Sequence, residues 1–238
     1  MREVIIIGGG PCGLAVGMAL QERGIDYLIL EKGAIANSIL SFPSNMRLYS
    51  TSDRLEIGNI PFLSDEDRPL RNEVLRYYRT VATRMQMNIL TFHRVTEVNK
   101  LQNGYLVQAV DHLGRVAQFE ARQIVIATGI YDHPRLMGVP GEHIPKVHHY
   151  YTEGHSYSGR SVLVAGGKNS AIEAAIDLYR NGAKVTLVHR GATVYQGIKP
   201  TLLLDIRNLI EKAAYPSIPN QPFPASRMML CILRGLPG

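Results

Sequence analysis

The apolar positions change period along the chain, and each change marks an element. Val4 to Ile7 is an unbroken β-branched run, too short for a helix and suited to a strand buried on both faces. Leu14 to Arg23 continues with helical spacing, and Gly24 falls where a helix C′ residue belongs. Tyr27 to Leu30 predicts a second buried strand. Lys32 to Leu70 then loses periodicity and is rich in turn formers and small donors, among them Asn37, Ser38, Pro43, Ser44 and Asn45. So long an irregular stretch inside a domain is usually functional. Val74, Tyr78, Val81 and Met85 return to helical spacing, and with Asn72 as N-cap they predict a helix over Asn72 to Met87. Its Tyr77 and Tyr78 are read as core and surface filling rather than ligands. Four strands follow at Val95 to Val98, Tyr105 to Val110, Val116 to Phe119 and Ile124 to Ala127, with turns at Asn103-Gly104 and Leu113-Gly114. They predict a β-meander whose last strand rejoins a parallel sheet.

Between the first strand and helix, Gly8, Gly10 and Gly13 supply the spacing G-x-G-x-x-G. Gly8 allows a sharp turn, Gly10 lets backbone approach a pyrophosphate, and Gly13 lets helix and strand pack closely. Pro11 suits the first helical turn, where its missing N–H costs nothing. The unpaired N–H groups and positive dipole end would then face phosphates. Glu31 follows the second strand, eighteen residues beyond Gly13, where a Rossmann unit sets a carboxylate on ribose hydroxyls. Thr128-Gly129, after the meander, would bring tight backbone beside the cofactor, an arrangement that points to a flavoprotein. Lys32, Asn37, Ser38 and the backbone of Val95 complete the candidate cradle.

The pattern then repeats. Pro134 to Pro145, containing Gly138-Val139-Pro140-Gly141, reads as a domain boundary. Ser161 to Ala165 predicts a strand, Gly166 to Ala171 a turn, Ile172 to Arg180 a helix ended by Asn181-Gly182, and Lys184 to Val188 a further strand. Lys168 stands at the middle-glycine position and Ala171 at the third, beside Asn169 and Ser170. Alanine is an accepted third residue; Lys168 adds a side chain able to pair with a phosphate or with an acid elsewhere. Where the first unit has Glu31, the second has His189-Arg190. A carboxylate accepts from a free 2′-hydroxyl and repels a 2′-phosphate, whereas a guanidinium does the reverse. The expected fold is therefore α/β, with two Rossmann-like dinucleotide-binding units and a meander in the first. FAD is expected on residues 1–140, NADPH on 141–212, and 213–238 is an atypical tail.

Bulk properties narrow the class. The chain has 238 residues and a net charge of +6, but its basic residues form no run and are not interleaved with aromatics, which argues against nucleic acid. Two cysteines, Cys12 and Cys231, make neither a disulfide framework nor C-x-x-C, so a reducing, cytoplasmic setting is expected. Arg2 before an apolar run mimics a signal peptide, but three glycines and Pro11 argue against one. No apolar run approaches the roughly 18 residues of a membrane span. No metal-ligand pattern stands out, and His148, His149 and His155 read as surface histidines.

Two Rossmann units separated by a meander and A-T-G resemble the two-dinucleotide-domain flavoprotein reductases. Gly9-Gly10-Pro11-Cys12-Gly13-Leu14, Glu56 to Phe62, Val139-Pro140-Gly141-Glu142 and Gly166 to Ser170 more closely resemble the YpdA-type bacillithiol-disulfide reductases. The likeness runs from Met1 to about Lys212, and Lys168 is part of that family's pattern. The resemblance implies NADPH-dependent, FAD-mediated reduction of a small-molecule disulfide, bacillithiol disulfide, and disfavours thioredoxin reductases, which carry C-x-x-C. It makes Cys12 the thiol that exchanges with substrate. A helix N-terminus lowers a thiol pKa, whereas a flavin pyrophosphate raises it; a small filler residue is the other reading. Association into a homo-oligomer is left open.

From about Ala213 the likeness fails. Pro216, Pro219, Pro222 and Pro224 exclude helix and central strand there, and Arg227 to Gly238 resumes with an apolar patch. The expectation is a chain cut short or altered in its last residues, without the strands that close the flavin domain. Two other classes stay in view. A flavin monooxygenase would need a linker motif that Lys146 to Ser156 match poorly; an inactive nucleotide-binding remnant would neither hold flavin nor oxidise NADPH.

Overall fold

The computed structural model describes residues 1–189, 197–214 and 228–232, with side chains up to Glu211. The chain divides into two units, Met1–Tyr150 and Tyr151–Gly238, so the turn-rich stretch Pro134 to Pro145 belongs to the first.

In the first unit, β1 (Arg2–Ile7), α1 (Pro11–Glu22) and β2 (Tyr27–Leu30) follow the apolar pattern. Val4, Ile5 and Ile6 are all buried, as a central strand requires. After β2 come the short α2 (Asn37–Leu40), α3 (Arg71–Arg84), β3 (Ile89–Leu90), β4 (His93–Leu101), β5 (Gly104–Asp111) and β6 (Val116–Ile126). The sheet order is β3-β2-β1-β6-β5-β4. β1 lies parallel to β2 and β6, and β6-β5-β4 is the antiparallel meander.

The two faces of β1 feed two cores. Val4 and Ile6 pack with Leu14, Met18, Val74, Tyr78 and Val81 beneath α1 and α3. Ile5 packs with Leu28, Leu30, Val107, Ala109 and Ala121, where the meander comes over the other face. A bulge between Val95 and Glu97 lets β4 bend, and Val95 turns its side chain into this second core.

Three local expectations are corrected. Val116 to Phe119 and Ile124 to Ile126 are not separate strands but parts of one, β6, which stops one residue short of Ala127. Its first part pairs with β5 and its last part with β1, and Ala121 is paired on both sides. Helix α3 begins at Arg71 and not after an Asn72 cap; the Glu73 carboxylate accepts the Leu70 N–H at 2.7 Å. It also ends at Arg84, short of Met87, where Gln86 takes a positive φ of 47°.

In the second unit, β7 (Ser161–Ala165), α4 (Asn169–Arg180), β8 (Lys184–His189), α5 (Pro200–Ala214) and β9 (Met228–Ile232) form a parallel sheet of order β7-β8-β9 with helical cover. Ile172, Ala175, Val185, Leu187 and Ile206 make its core. The apolar patch expected after Arg227 supplies a strand: Met228–Ile232 lies parallel to Val185–His189 in the sheet of the second unit. Pro216 to Pro224 and Arg190 fall outside the described residues.

Candidate functional site

The glycine turn of the first unit is held from both sides. Gly8 N–H donates to the Leu30 carbonyl at 2.8 Å, and Ala127 N–H to the Ile7 carbonyl at 2.8 Å. β2 and β6 therefore clamp the carboxyl end of β1. Gly8 has φ +112°, and a Cβ there would stand 2.3 Å from the Ala127 carbonyl oxygen. A Cβ on Gly13 would stand 1.9 Å from the Gly8 carbonyl oxygen, so helix and turn meet at a distance only glycine permits. Gly10 is different: nothing lies within 4 Å of where its Cβ would stand. Pro11 is the first residue of α1 and Gly10 its extended N-cap. The N–H groups of the first helical turn have no partner within the helix, and the space beside Gly10 is open. Cys12, the next residue, is exposed and free.

Glu31 is buried, with 5% of its surface exposed. Its carboxylate accepts the Gly9 N–H at 2.6 Å and the Gly33 N–H at 2.9 Å. One acid thereby ties the glycine turn to the turn after β2, and each oxygen keeps a further lone pair for a hydroxyl. Ala36 N–H donates to the Gly9 carbonyl at 3.0 Å, and Asn37 Oδ1 accepts the Ala34 N–H at 3.3 Å. Asn37 and Ser38 thus begin α2 beside the glycine turn. Lys32 forms an ion pair with Asp132. Thr128 borders the turn, its N lying 3.2 Å from a Gly8 Cβ, and Gly129 follows at φ +69°. Val95 offers only backbone here, next to the strand start where His93 N–H donates to the Glu31 carbonyl at 2.8 Å.

The second unit builds the same turn more loosely. Gly166 has φ +143°, with the Ala171 Cβ 3.0 Å from its added Cβ, and Gly166 N–H donates to the Val188 carbonyl at 2.8 Å. Lys168 is the extended N-cap of α4 and its side chain is exposed. Asn169 turns inward, its Oδ1 accepting the Lys199 N–H at 2.9 Å; Ser170 is exposed in the first turn. His189 covers Gly167, where a Cβ would come 2.0 Å from its ring. Arg190, the expected 2′-phosphate reader, lies outside the described residues.

Sequence reasoning missed Gly9, Gly33, Asp132 and Gly167. Gly9 and Gly167 sit inside glycine runs whose flanking members attract the motif. Asp132 lies 100 residues from Lys32, with no local signal. Among the described residues no His, Cys, Asp or Glu cluster fits a metal. No helix among them is long and apolar enough to cross a membrane.

Paired strand–glycine turn–helix cradles, each between parallel strands, define a dinucleotide-binding oxidoreductase fold. The sequence matches the pyridine nucleotide-disulphide oxidoreductase family over residues 5–221, and the chain belongs to that family. It is 42% identical over 209 residues to the bacilliredoxin reductase Bdr of Bacillus subtilis, covering 88% of this chain and 63% of that protein. The bacillithiol disulfide reductase Bdr (YpdA) of Bacillus cereus superposes with a TM-score of 0.89 at 39% identity, over 97% of this chain and 67% of that one. The Staphylococcus aureus enzyme of the same name gives 0.86 and 37%, over 96% and 66%. The chain therefore spans a little under two thirds of the curated relative it matches.

Proposed function

We propose that this chain carries the nucleotide-binding machinery of an NADPH-dependent FAD oxidoreductase that reduces a low-molecular-weight disulfide, bacillithiol disulfide. The likeness to Bdr proteins at 37 to 42% identity carries the reading, and the paired cradles support it. The first cradle fits a flavin dinucleotide: the open side of Gly10 leaves room for a pyrophosphate, and Glu31 has lone pairs for ribose hydroxyls. Gly8, Gly10, Pro11 and Gly13 line the phosphates in this reading, and Glu31, Lys32, Asn37, Ser38, Val95, Thr128 and Gly129 surround the rest. Gly166, Lys168, Asn169, Ser170, Ala171, His189 and Arg190 take NADPH. The second unit carries most of the excess positive charge, ten Lys and Arg against five Asp and Glu, which favours a phosphorylated nicotinamide.

A flavin held by the first cradle would supply two-electron transfer between the nicotinamide and the disulfide. The protein orients both nucleotides and offers Cys12 as the exchanging thiol at the exposed start of α1. Its two cysteines are in keeping with a reducing compartment, the cytoplasm.

An anaerobic absorbance spectrum before and after NADPH tests this reading. A yellow protein that bleaches with NADPH, regains colour with the disulfide and releases thiol supports it. A protein that stays colourless after incubation with FAD overturns it, and oxygen uptake coupled to hydroxylation points to a monooxygenase instead. Equal bleaching by NADH removes the role given to Arg190.

A further inference from the structure

The segment after Thr128-Gly129 does not run clear of the first cradle. Tyr131 stacks edge-on against Phe42, ring centroids 4.8 Å apart, and its hydroxyl donates to the Ser41 carbonyl at 3.2 Å. Tyr150 packs behind it at 5.1 Å and donates its hydroxyl to the Tyr131 carbonyl at 2.7 Å. The next residue, Asp132, forms the ion pair with Lys32, whose side chains are 30% (Lys32) and 25% (Asp132) exposed. Residues 131–132 are thus fixed to residues 32–42 at three points.

The sheet order gives those contacts their meaning. β2 and β6 flank β1 and run parallel to it, so all three carboxyl ends lie on one side. Lys32 follows β2 and Asp132 follows β6. Their bridge therefore spans the carboxyl end of β1, where the glycine turn and the open side of Gly10 lie.

We propose that Tyr131-Asp132 is a strap across the dinucleotide cradle, clasped by Lys32, and that the clasp governs how fast a bound flavin leaves. This rests on the flavin reading given above. Lys32 then acts as a positioning residue: its ammonium is committed to Asp132 and not to a phosphate. The two roles predict opposite results at Asp132. If Lys32 is the clasp, removing its partner loosens the strap and speeds flavin release. If Lys32 serves the phosphates, removing Asp132 frees the ammonium and slows release.

The test is the rate of FAD release from reconstituted protein, followed by the rise in flavin fluorescence on dilution into an excess of flavin-binding trap. Circular dichroism checks that each variant is folded. Asp132→Asn and Lys32→Met should each release FAD about fivefold faster, the size expected of a partly exposed ion pair. The double exchange Lys32→Asp with Asp132→Lys should return close to the native rate, which a merely local packing defect would not do. Release from Asp132→Asn at the native rate or slower overturns the strap while leaving the flavin reading intact. Native protein that takes up no FAD overturns both.

Discussion

The Glu31 carboxylate holds the Gly9 N–H at 2.6 Å from a buried position at the end of β2. With its second oxygen on the Gly33 N–H, it is a brace for the glycine turn, and on the proposed function it also accepts from a ribose. Both duties need two acceptor oxygens. Glu31→Gln keeps the shape but replaces one acceptor with a donor, leaving a buried N–H unmet. The expected loss is about 1–3 kcal/mol of stability, read from urea unfolding, together with weaker FAD binding by titration. An unchanged midpoint would mean that the brace contributes nothing.

Gly10 and Gly13 separate folding from binding. Gly13→Ala forces a Cβ to within 1.9 Å of the Gly8 carbonyl, and should cost about 1–3 kcal/mol or more through overpacking. Gly10→Ala meets no protein atom within 4 Å, so its thermal midpoint should stay near the native value while FAD content falls. Thermal melts and flavin-to-protein ratios on both variants check the contrast.

Acid should loosen the segment that follows the strap. Glu142 accepts the N–H groups of Met137 at 2.8 Å and Gly138 at 2.7 Å, with His149 at 4.0 Å. These backbone bonds, aided by Val139 and His149, hold its carboxyl below the ordinary 4.5. A depressed pKa stabilises the folded state above the unfolded value, and that contribution is lost as pH falls through the folded one. Stability should therefore drop below pH 4.5 and continue downward, with Asp111, held at about 2 by Arg115 and Leu113, contributing to the same fall. Glu142→Gln should flatten part of this slope in urea unfolding from pH 7 to 3.

Cys12→Ala addresses the chemistry. On the proposed function, flavin binding and NADPH-driven bleaching should persist, while disulfide reduction falls at least about a hundredfold, as when a nucleophile is removed. Thiol release assayed beside reduction of an artificial acceptor separates the two half-reactions. Full disulfide reduction by the variant would return Cys12 to the role of a small filler.

The first cradle was legible because its requirements are local. A strand, three glycines and an acid at fixed spacing leave few other structures, and Gly8, Gly13 and Glu31 stand where the spacing places them. β6 was less so: Glu120, Arg122 and Gln123 look like a polar break, yet Ala121 is buried because strands pair with it on both sides. Tertiary pairing overrode local polarity. β9 is a plainer case, since the apolar run Met228–Ile232 takes the edge of β8 downstream of the prolines. Asp132 had no signal at all, for its partner is 100 residues away and only the order of the strands brings them together.

The continuity of β6 has a mechanical consequence. One uninterrupted backbone pairs with β5 over Val116–Ala121 and with β1 over Ala121–Ile126, so opening at the shared Ala121 weakens both ladders. Amide protons along Val116–Ile126 should exchange with deuterium as one slow group, and a proline placed at Ala121 should collapse the protection of β1 and β5 together.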